Sequence, residues 1–344
     1  MEQDPESVQE VPDEVVDQAA TVTTVEAMDE SRIDEIKAAL SEHWDTVSEQ
    51  VDVGEPDDLG GWKRVVDDVA EAGDERTAEK IDTLVDRAER SHPSLLRLRL
   101  APRERELSFD PGQYVRISFA DKSPRVYSIA SSPNEEELEL CITRVPGGHL
   151  TPSLMDDAER DDEMFVRGPY GKELSLFDES DRDMVFVATG TGVAPLRSMI
   201  RYTFEEGLDS HDGERRDVWL FLGASWRDDL PYHAEFDALS EEHENFHYVP
   251  TVSREQLLYD WAGETDYVQQ TLLKYLDDAV DREALPESLE EHFDADSEYD
   301  IDARVDPESA ELYVCGVGPM CDSVTDVTEA LGLKERVTKV ESYG

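Results

Sequence analysis

MVFVATGTGVAPLRSMI, residues 184–200, is the stretch that decides how the chain is read. Its first half is an apolar run of strand length. After Gly190, Thr191 and Gly192 it opens into a segment patterned as a helix, with Pro195 in the first turn, where proline is tolerated. Glycines there allow positive φ and close backbone approach. Amide N–H groups at a helix start, aided by the helix dipole, favour an anion such as a pyrophosphate. The turn reads G-T-G-V-A-P and not G-x-G-x-x-G, so taken alone it fits a tight strand–helix connection as well as a ligand site.

Downstream the same pattern recurs. DVWLFLGAS precedes AEFDALSEE, FHYVPTVS precedes DYVQQTLLKYL, and ELYVCG precedes MCDSVTDVTEAL. Repeated strand–helix units imply a parallel sheet covered on both faces, over residues 183–344. Residues 278–309, acidic and weakly patterned, interrupt the last unit and read as a surface insertion.

Upstream the style is all strand. SLLRLRL (94–100) alternates leucine with arginine, and PGQYVRISF, RVYSIASS and LELCITRV continue with turns between them. Before these lie three amphipathic segments. Ile33, Ile36, Leu40, Trp44, Val47 and Val51 mark the first, with Ser31 and Asp34 in a capping-box pattern. Trp62, Val65, Val66 and Val69 mark the second, and Ala78, Ile81, Leu84, Val85 and Ala88 the third. ATVTTVEAM (20–28) reads as a strand, and residues 1–17 as a disordered acidic tail. The pattern therefore predicts an antiparallel β half followed by a parallel α/β half, with a small helical bundle and no internal repeats.

The chain of 344 residues carries 84 acidic against 32 basic side chains, a formal charge of −52, and only eight of the bases are lysines. Such a chain repels nucleic acid and anionic membranes at low ionic strength, so neither is expected as a partner. At molar salt the Debye length falls to roughly 3 Å and the self-repulsion is largely screened. Acid excess spread along the whole chain resembles the cytoplasmic proteins of halophiles, with a few acidic tails on an ordinary protein as the alternative. No apolar run reaches membrane-spanning length and the start lacks a secretion pattern, so the expected location is the cytoplasm. Cys141, Cys315 and Cys321 form neither a disulfide framework nor a spaced metal cluster.

Five further motifs fall in a fixed order. R-V-Y-S (125–128) places Arg125 and Tyr127 on one face of a strand and Ser128 on the other. VPGGHLTPSL (145–154) is a Gly-rich turn before a helix, with Thr151 near its start. GPYG (168–171), the G-T-G-V-A-P turn and VCGVGPM (314–320) follow. An arginine on phosphate and an aromatic ring on a planar cofactor suit the first motif. Singly, each is also an ordinary surface or core residue.

In this order the series resembles the ferredoxin–NADP⁺ reductase family, over residues 18–30 and 93–344. The resemblance implies a FAD-binding β-barrel domain over 18–178 and an NAD(P)-binding domain over 183–344. It implies FAD held by Arg125 on its pyrophosphate, Tyr127 against the flavin and Ser128 near N5. Cys141, Ile142 and Thr143 would line the same cofactor, and Gly148, His149, Leu150 and Thr151 would hold its diphosphate. Gly190, Thr191, Gly192 and Pro195 would cradle NADPH or NADH. Cys315 would lie beside the nicotinamide, Tyr343 would stack on the flavin and Glu341 would relay a proton. Nicotinamide C4 would then deliver its hydride to flavin N5, and the partner would be ferredoxin or another soluble one-electron carrier. An electron-transfer subunit or reductase component of a larger system is the other reading, as is a non-catalytic nucleotide-binding module.

Two departures stand out. The family joins its first two barrel strands by a short turn, whereas residues 30–92 stand between ATVTTVEAM and SLLRLRL here. Either a bundle is inserted in a hairpin or a separate N-terminal domain precedes the barrel. In TVSRE (251–255), Ser253 and Arg254 suit a 2′-phosphate and thus NADPH. A second basic residue is missing downstream, where Glu264 stands.

Overall fold

The computed structural model describes residues 15–51, 54–177, 180–258, 261–277, 289, 292–293, 295–332 and 338–343. Two sheets organise them. The first is antiparallel and six-stranded: β1 (Val16–Ala27), β2 (Leu95–Pro102), β3 (Tyr114–Phe119), β4 (Arg125–Ser128), β5 (Leu138–Thr143) and β6 (Glu163–Tyr170), in the order β4-β3-β6-β1-β2-β5. An Ile129–Leu140 bridge brings its two edges together, so the sheet curls into a nearly closed barrel. Alternation fills the inside: Leu96, Leu98 and Leu100 of β2 are buried with Val115, Ile117, Leu140, Ile142 and Val166. A short helix α4 (Thr151–Asp156) supports the barrel, adding Leu154 to that core.

The second sheet is parallel: β7 (Asp183–Thr189), β10 (Val218–Ala224), β11 (Phe246–Val252), β12 (Ala310–Val317) and β13 (Thr338–Tyr343), in the order β11-β10-β7-β12-β13. A two-residue ribbon, β8 (Ser210–His211) and β9 (Glu214–Arg215), precedes β10. Its strands are apolar on both faces because both are covered. Helices α5 (Val193–Glu206) and α6 (His233–Glu242) pack on one face, and α7 (Val268–Leu273) and α8 (Gly318–Ala330) on the other. The chain runs outward from β7 through β10 to β11, then returns to β12 on the other side of β7. That reversal leaves a crevice beyond the strands' carboxyl ends, at the Gly190–Gly192 turn. The β-barrel plus parallel α/β architecture expected from the pattern is the one observed.

Between β1 and β2 run α1 (Ile33–Val47), α2 (Leu59–Glu71) and α3 (Glu75–Glu89). The two strands nevertheless pair antiparallel, Ala27 opposite Leu96. The loop's neck is pinned where it leaves and returns: Met28 N–H donates to the Leu95 carbonyl at 2.9 Å. The buried Asp29 carboxylate accepts from Ser94 N, Ser94 Oγ and Leu95 N. The helices bury Ile36, Leu40, Trp62, Val65, Val69, Ile81, Leu84 and Val85 against one another. Asp58 caps α2 by accepting from Gly61 N at 2.7 Å, and Asp74 caps α3 by accepting from Thr77 N.

Three expectations need correcting. The Ser31–Asp34 capping box does not form: α1 begins after Arg32, whose guanidinium is drawn away to Glu35, Asp228 and Glu255. The first strand starts at Val16, inside the stretch expected as a tail, because Val16 and Asp17 pair with Gly168 and Arg167 of β6. The remainder of that tail, residues 1–14, lies outside the described residues. So does much of 278–309. Its later part is not mere surface, since Val305 is buried, bridges Leu276 and joins Tyr299 and Ile301 on the core under α7.

The barrel meets the α/β half across a buried ionic group. Glu139 of β5 is fully buried, and Arg99 Nε donates to it at 2.6 Å, with Arg97 and Arg197 at 3.4 and 3.5 Å. Burial pushes the Glu139 carboxyl up, but Arg197, Arg97 and Arg99 together outweigh it and hold it below the usual carboxylate range. A carboxyl whose folded pKa is depressed contributes stability above its unfolded pKa and loses it as pH falls through the folded one. Glu139→Gln should therefore cost about 3 kcal/mol near neutral pH, since it removes the carboxylate charge that faces buried Arg197 and part-buried Arg97 and Arg99. The gap to the parent should narrow as the pH is lowered below the ordinary carboxylate range, measured by urea melts in molar salt.

Candidate active site

A cavity of about 1630 Å³ opens between the two halves. That exceeds the roughly 300–1,000 Å³ of an ordinary small-molecule pocket, leaving room for two extended ligands. One wall is barrel: Tyr114 of β3, all of β4, Cys141 and Thr143 of β5, and the loop 144–150 leading into α4. The opposite wall is the carboxyl edge of the parallel sheet. Thr189 ends β7 and Gly190 and Thr191 follow it, Ala224 and Ser225 lie at the end of β10, Thr251 and Ser253 at the end of β11, and Val317, Glu341 and Ser342 belong to β12 and β13.

The 190–192 turn is built by two different glycine requirements. Gly190 sits at φ +51°, where a side chain is disfavoured, with open space around a hypothetical Cβ. At Gly192 the backbone is ordinary but the space is closed: a Cβ would lie 2.2 Å from the Cys315 carbonyl oxygen. This contact presses the turn onto the end of β12 and brings β7 and β12 together at the crevice.

The expected residues divide into those on the cavity wall and those behind it. Arg125, Tyr127, Ser128, Cys141, Thr143, Gly148, His149, Leu150, Thr151, Gly190, Thr191, Ser253 and Glu341 line the cavity. Arg125 is exposed at the start of β4, and its guanidinium donates to the Pro124 carbonyl. Ser128 borders the same cleft as Arg125 and Tyr127 despite strand alternation, because β4 ends there at the barrel edge. Tyr127 is half-buried, and burial pushes its hydroxyl up to about 12. Thr151 Oγ1 accepts from Val145 N at 2.8 Å and so shapes the Gly-rich loop, while Leu150 also packs into the barrel core.

Ile142, Gly192, Pro195, Cys315 and Arg254 are not on that wall. Ile142 points into the barrel, as alternation with Cys141 and Thr143 requires. Gly192 and Pro195 are buried under the turn. Cys315 is fully buried in the core beneath Gly192, where burial, then Glu341 and Cys321, push its thiol well above the ordinary range, so it is not a thiolate. Arg254 is exposed beside Ser253. Tyr343 closes β13 opposite Val317, and its side chain lies outside the described residues.

Glu341 pairs in register with Cys315. Burial, and secondarily Glu173, raise its carboxyl, and its Oε2 is buried without a hydrogen-bond partner among the described residues. An unpartnered buried oxygen on a cavity wall is a place for a ligand's donor. Glu264, by contrast, faces away from the cavity. It is fully buried and accepts from Lys274 Nζ, Tyr275 Oη and Glu298 N, so it places no charge in the cleft.

Several wall residues escaped the sequence reading. Tyr114 stacks on Tyr170 at 5.7 Å between centroids, and a Cβ on Gly171 would come within 3.0 Å of its ring. The quoted GQY and GPYG motifs held that signal jointly. Ser225, Tyr267 and Arg90 also line the cavity, brought there from three separate elements. Among the described residues no group of His, Cys, Asp and Glu is placed to hold a metal, and no helix is long and apolar enough to cross a membrane. The donor set fits nucleotide cofactors: backbone amides and hydroxyls at a glycine turn, one exposed arginine and aromatic faces.

The chain matches known families and folds. Residues 83–173 match the family described as oxidoreductase FAD-binding domain, and residues 186–326 the oxidoreductase NAD-binding domain. Ferredoxin–NADP reductase B of Sorangium cellulosum is 30% identical over 266 residues, 71% of this chain and 93% of that one. The phenol hydroxylase P5 protein of Acinetobacter pittii is 30% identical over 51% of this chain, and Protein RfbI of Salmonella typhimurium 31% over 53%. The chain spans about half the length of those two relatives. Among solved structures, Amycolatopsis cytochrome P450 reductase superposes with a TM-score of 0.62 at 21% identity, covering 95% of this chain and 70% of that one. A ferredoxin NADP⁺ reductase from Neisseria gonorrhoeae with bound FAD and NADP does so at 0.55 and 20% identity, covering 73% and 93%. These two likenesses establish the fold.

The two glycines give a paired prediction. Gly192→Ala forces backbone against backbone and should cost several kcal/mol and abolish nucleotide binding, whereas Gly190→Ala should cost only about 1 kcal/mol of φ strain. Thermal melts and nucleotide titrations of the two variants, side by side, check this.

Proposed function

The chain belongs to the ferredoxin–NADP reductase family, and from that premise we propose that it passes electrons between NADPH and a separate ferredoxin-type carrier. Its two family domains make it an FAD-containing NAD(P)H oxidoreductase. The observation that carries the finer reading is one cleft walled by both domains, with the unpartnered Glu341 oxygen on its wall. FAD, when bound, takes two electrons from the nicotinamide and gives them up singly. The protein's task is to place and to exclude.

In this reading Arg125 pairs with the FAD pyrophosphate, for which its exposed guanidinium is available. Tyr127 offers a ring face to the flavin and Tyr114, stacked on Tyr170, extends that wall. Ser128 hydrogen-bonds the flavin's reacting edge. Thr143, Gly148 and His149 contact the same cofactor. Gly190 and Thr191 present the turn's amides to the pyridine nucleotide, with Gly192 and Pro195 acting through the backbone they shape. Ser225 and Ser253, at the ends of β10 and β11, meet its ribose, and Arg254 stands beside Ser253 for a 2′-phosphate. Glu264 is buried away from the cleft against Lys274, so it does not face that phosphate. Among the described residues no group of His, Cys, Asp and Glu is placed to hold a metal, and in this reading the one-electron cluster is carried by the partner. The phenol hydroxylase and phenol 2-monooxygenase relatives favour a second reading, the reductase component of an oxygenase system, in which the partner is the oxygenase component.

Arg125→Ala should yield folded protein with most of its FAD missing, read from the flavin absorbance of the purified protein. Full flavin content would sink the placement of the cofactor. Glu341 supplies a pH test. Its raised pKa keeps it protonated, and able to give a proton toward the cleft, to higher pH than an ordinary glutamate. The rate of flavin reduction by NADPH should therefore fall as pH rises through that pKa. Glu341→Gln should lower the rate by about a hundredfold and remove that limb of the pH profile, in stopped-flow measurements.

A further inference from the structure

The inserted helices do more than fold on themselves. Their core takes in Trp226, 2% exposed, with Leu257 and Leu258 packed against it, all three from the loops that follow β10 and β11. Beside that apolar contact lies a chain of buried charges. Arg32, at the start of α1, donates to Glu255 at 2.7 and 2.9 Å and to Asp228 at 3.3 Å. Arg87 of α3 donates to Asp228 at 2.5 Å, and Arg90, just after α3, forks onto Asp229. The Arg32, Arg87, Asp228 and Glu255 side chains are each 6% exposed or less.

Glu255 is also the link between the two loops. Besides Arg32 it accepts from Arg227 N at 2.7 Å, while Arg254 N donates to the Ser225 carbonyl and Ser253 N to the Ala224 carbonyl. The chain after β10 and the chain after β11 thus form one block whose rear is charge-locked to the bundle. Its front carries Ser225 and Ser253, both on the cavity wall. Arg90 and Asp229, which pair across the seam, line the cavity as well.

We propose that the inserted bundle is a fixed strap that sets the position of the pyridine-nucleotide wall, with Arg32 and Glu255 as positioning residues rather than catalytic ones. The strap fastens barrel to nucleotide domain at the far end of the loops that read the nucleotide's ribose. Because its charges are buried, molar salt screens them little, so the lock persists where surface pairs are lost. The proposal rests on the reading that the nucleotide lies across the ends of β10 and β11.

The test uses the full-length FAD-loaded protein and two variants. Glu255→Gln keeps an acceptor for Arg227 N but removes the charge facing Arg32, and Arg87→Gln removes the charge facing Asp228 at a position off the cavity wall. Three quantities are read: FAD content, NADP⁺ affinity from its perturbation of the flavin spectrum, and amide hydrogen exchange over residues 225–229 and 253–257. Both variants should keep their FAD, exchange those amides about tenfold faster and bind NADP⁺ about tenfold more weakly. Unchanged NADP⁺ affinity in variants whose loops have loosened would overturn the strap. So would loss of FAD in step with NADP⁺, which would make the bundle a prop for the whole fold. Ser253→Ala separates the premise from the proposal. If it leaves NADP⁺ binding untouched, the nucleotide's placement fails. If it weakens binding while Glu255→Gln does not, only the strap fails.

Discussion

The cleft exists because Arg197 is buried. This side chain leaves α5, is 1% exposed, and donates to the Ala130 carbonyl of the barrel at 2.6 Å. It also forks onto Glu235 of α6 at 2.9–3.1 Å, approaches Glu139 of β5 and lies over the Tyr232 ring at 4.5 Å. A guanidinium taken from water is costly unless each N–H finds a partner, and here the partners come from both domains. The geometry that satisfies the charge is therefore the geometry that sets the barrel against the sheet. Everything proposed for the cavity depends on that fixed relation, since reacting centres must approach to about 3–3.5 Å.

A second set of buried charges, Arg32 and Arg87 with Asp228 and Glu255, fastens the inserted helices to the loops after β10 and β11. Both seams thus use arginine, whose planar fork meets several carboxylates at once. Outside, the net charge of −52 works against compactness and against docking with another acidic protein unless salt screens it. Interior pairs hold the shape and salt tempers the exterior. The two kinds of electrostatics are separated by burial.

The architecture was legible because its signals are local. Strand alternation in SLLRLRL, apolar strands followed by helices, and threefold–fourfold spacing in the bundle each report the neighbours of a single element. The G-T-G turn was legible as a turn, and its place at the strand-order reversal gave it meaning. Less legible was anything set by contacts distant in sequence. Ser31 offers a capping pattern, yet Arg32 is pulled to Asp228 and Glu255, some two hundred residues on, and the cap is lost. Glu264 stands where a second basic residue is missing, and it is buried against Lys274 and Tyr275. Cys315 lies under the turn that hides it, because Gly192 stacks on its carbonyl. Tyr114, Ser225 and Arg90 reach the cleft from elements whose own patterns say only barrel, sheet and helix.

In the proposed function one cleft brings a pyridine nucleotide to FAD, and the electrons leave singly to a separate carrier. The direct measurement is an anaerobic absorbance titration of the FAD-loaded protein in molar salt, first with NADPH and then with an oxidised [2Fe–2S] ferredoxin. About one equivalent of NADPH should bleach the flavin, which should regain its colour as about two equivalents of ferredoxin are reduced. A flavin that NADPH leaves unbleached, or one that bleaches but yields no electrons to ferredoxin, would contradict the proposed function.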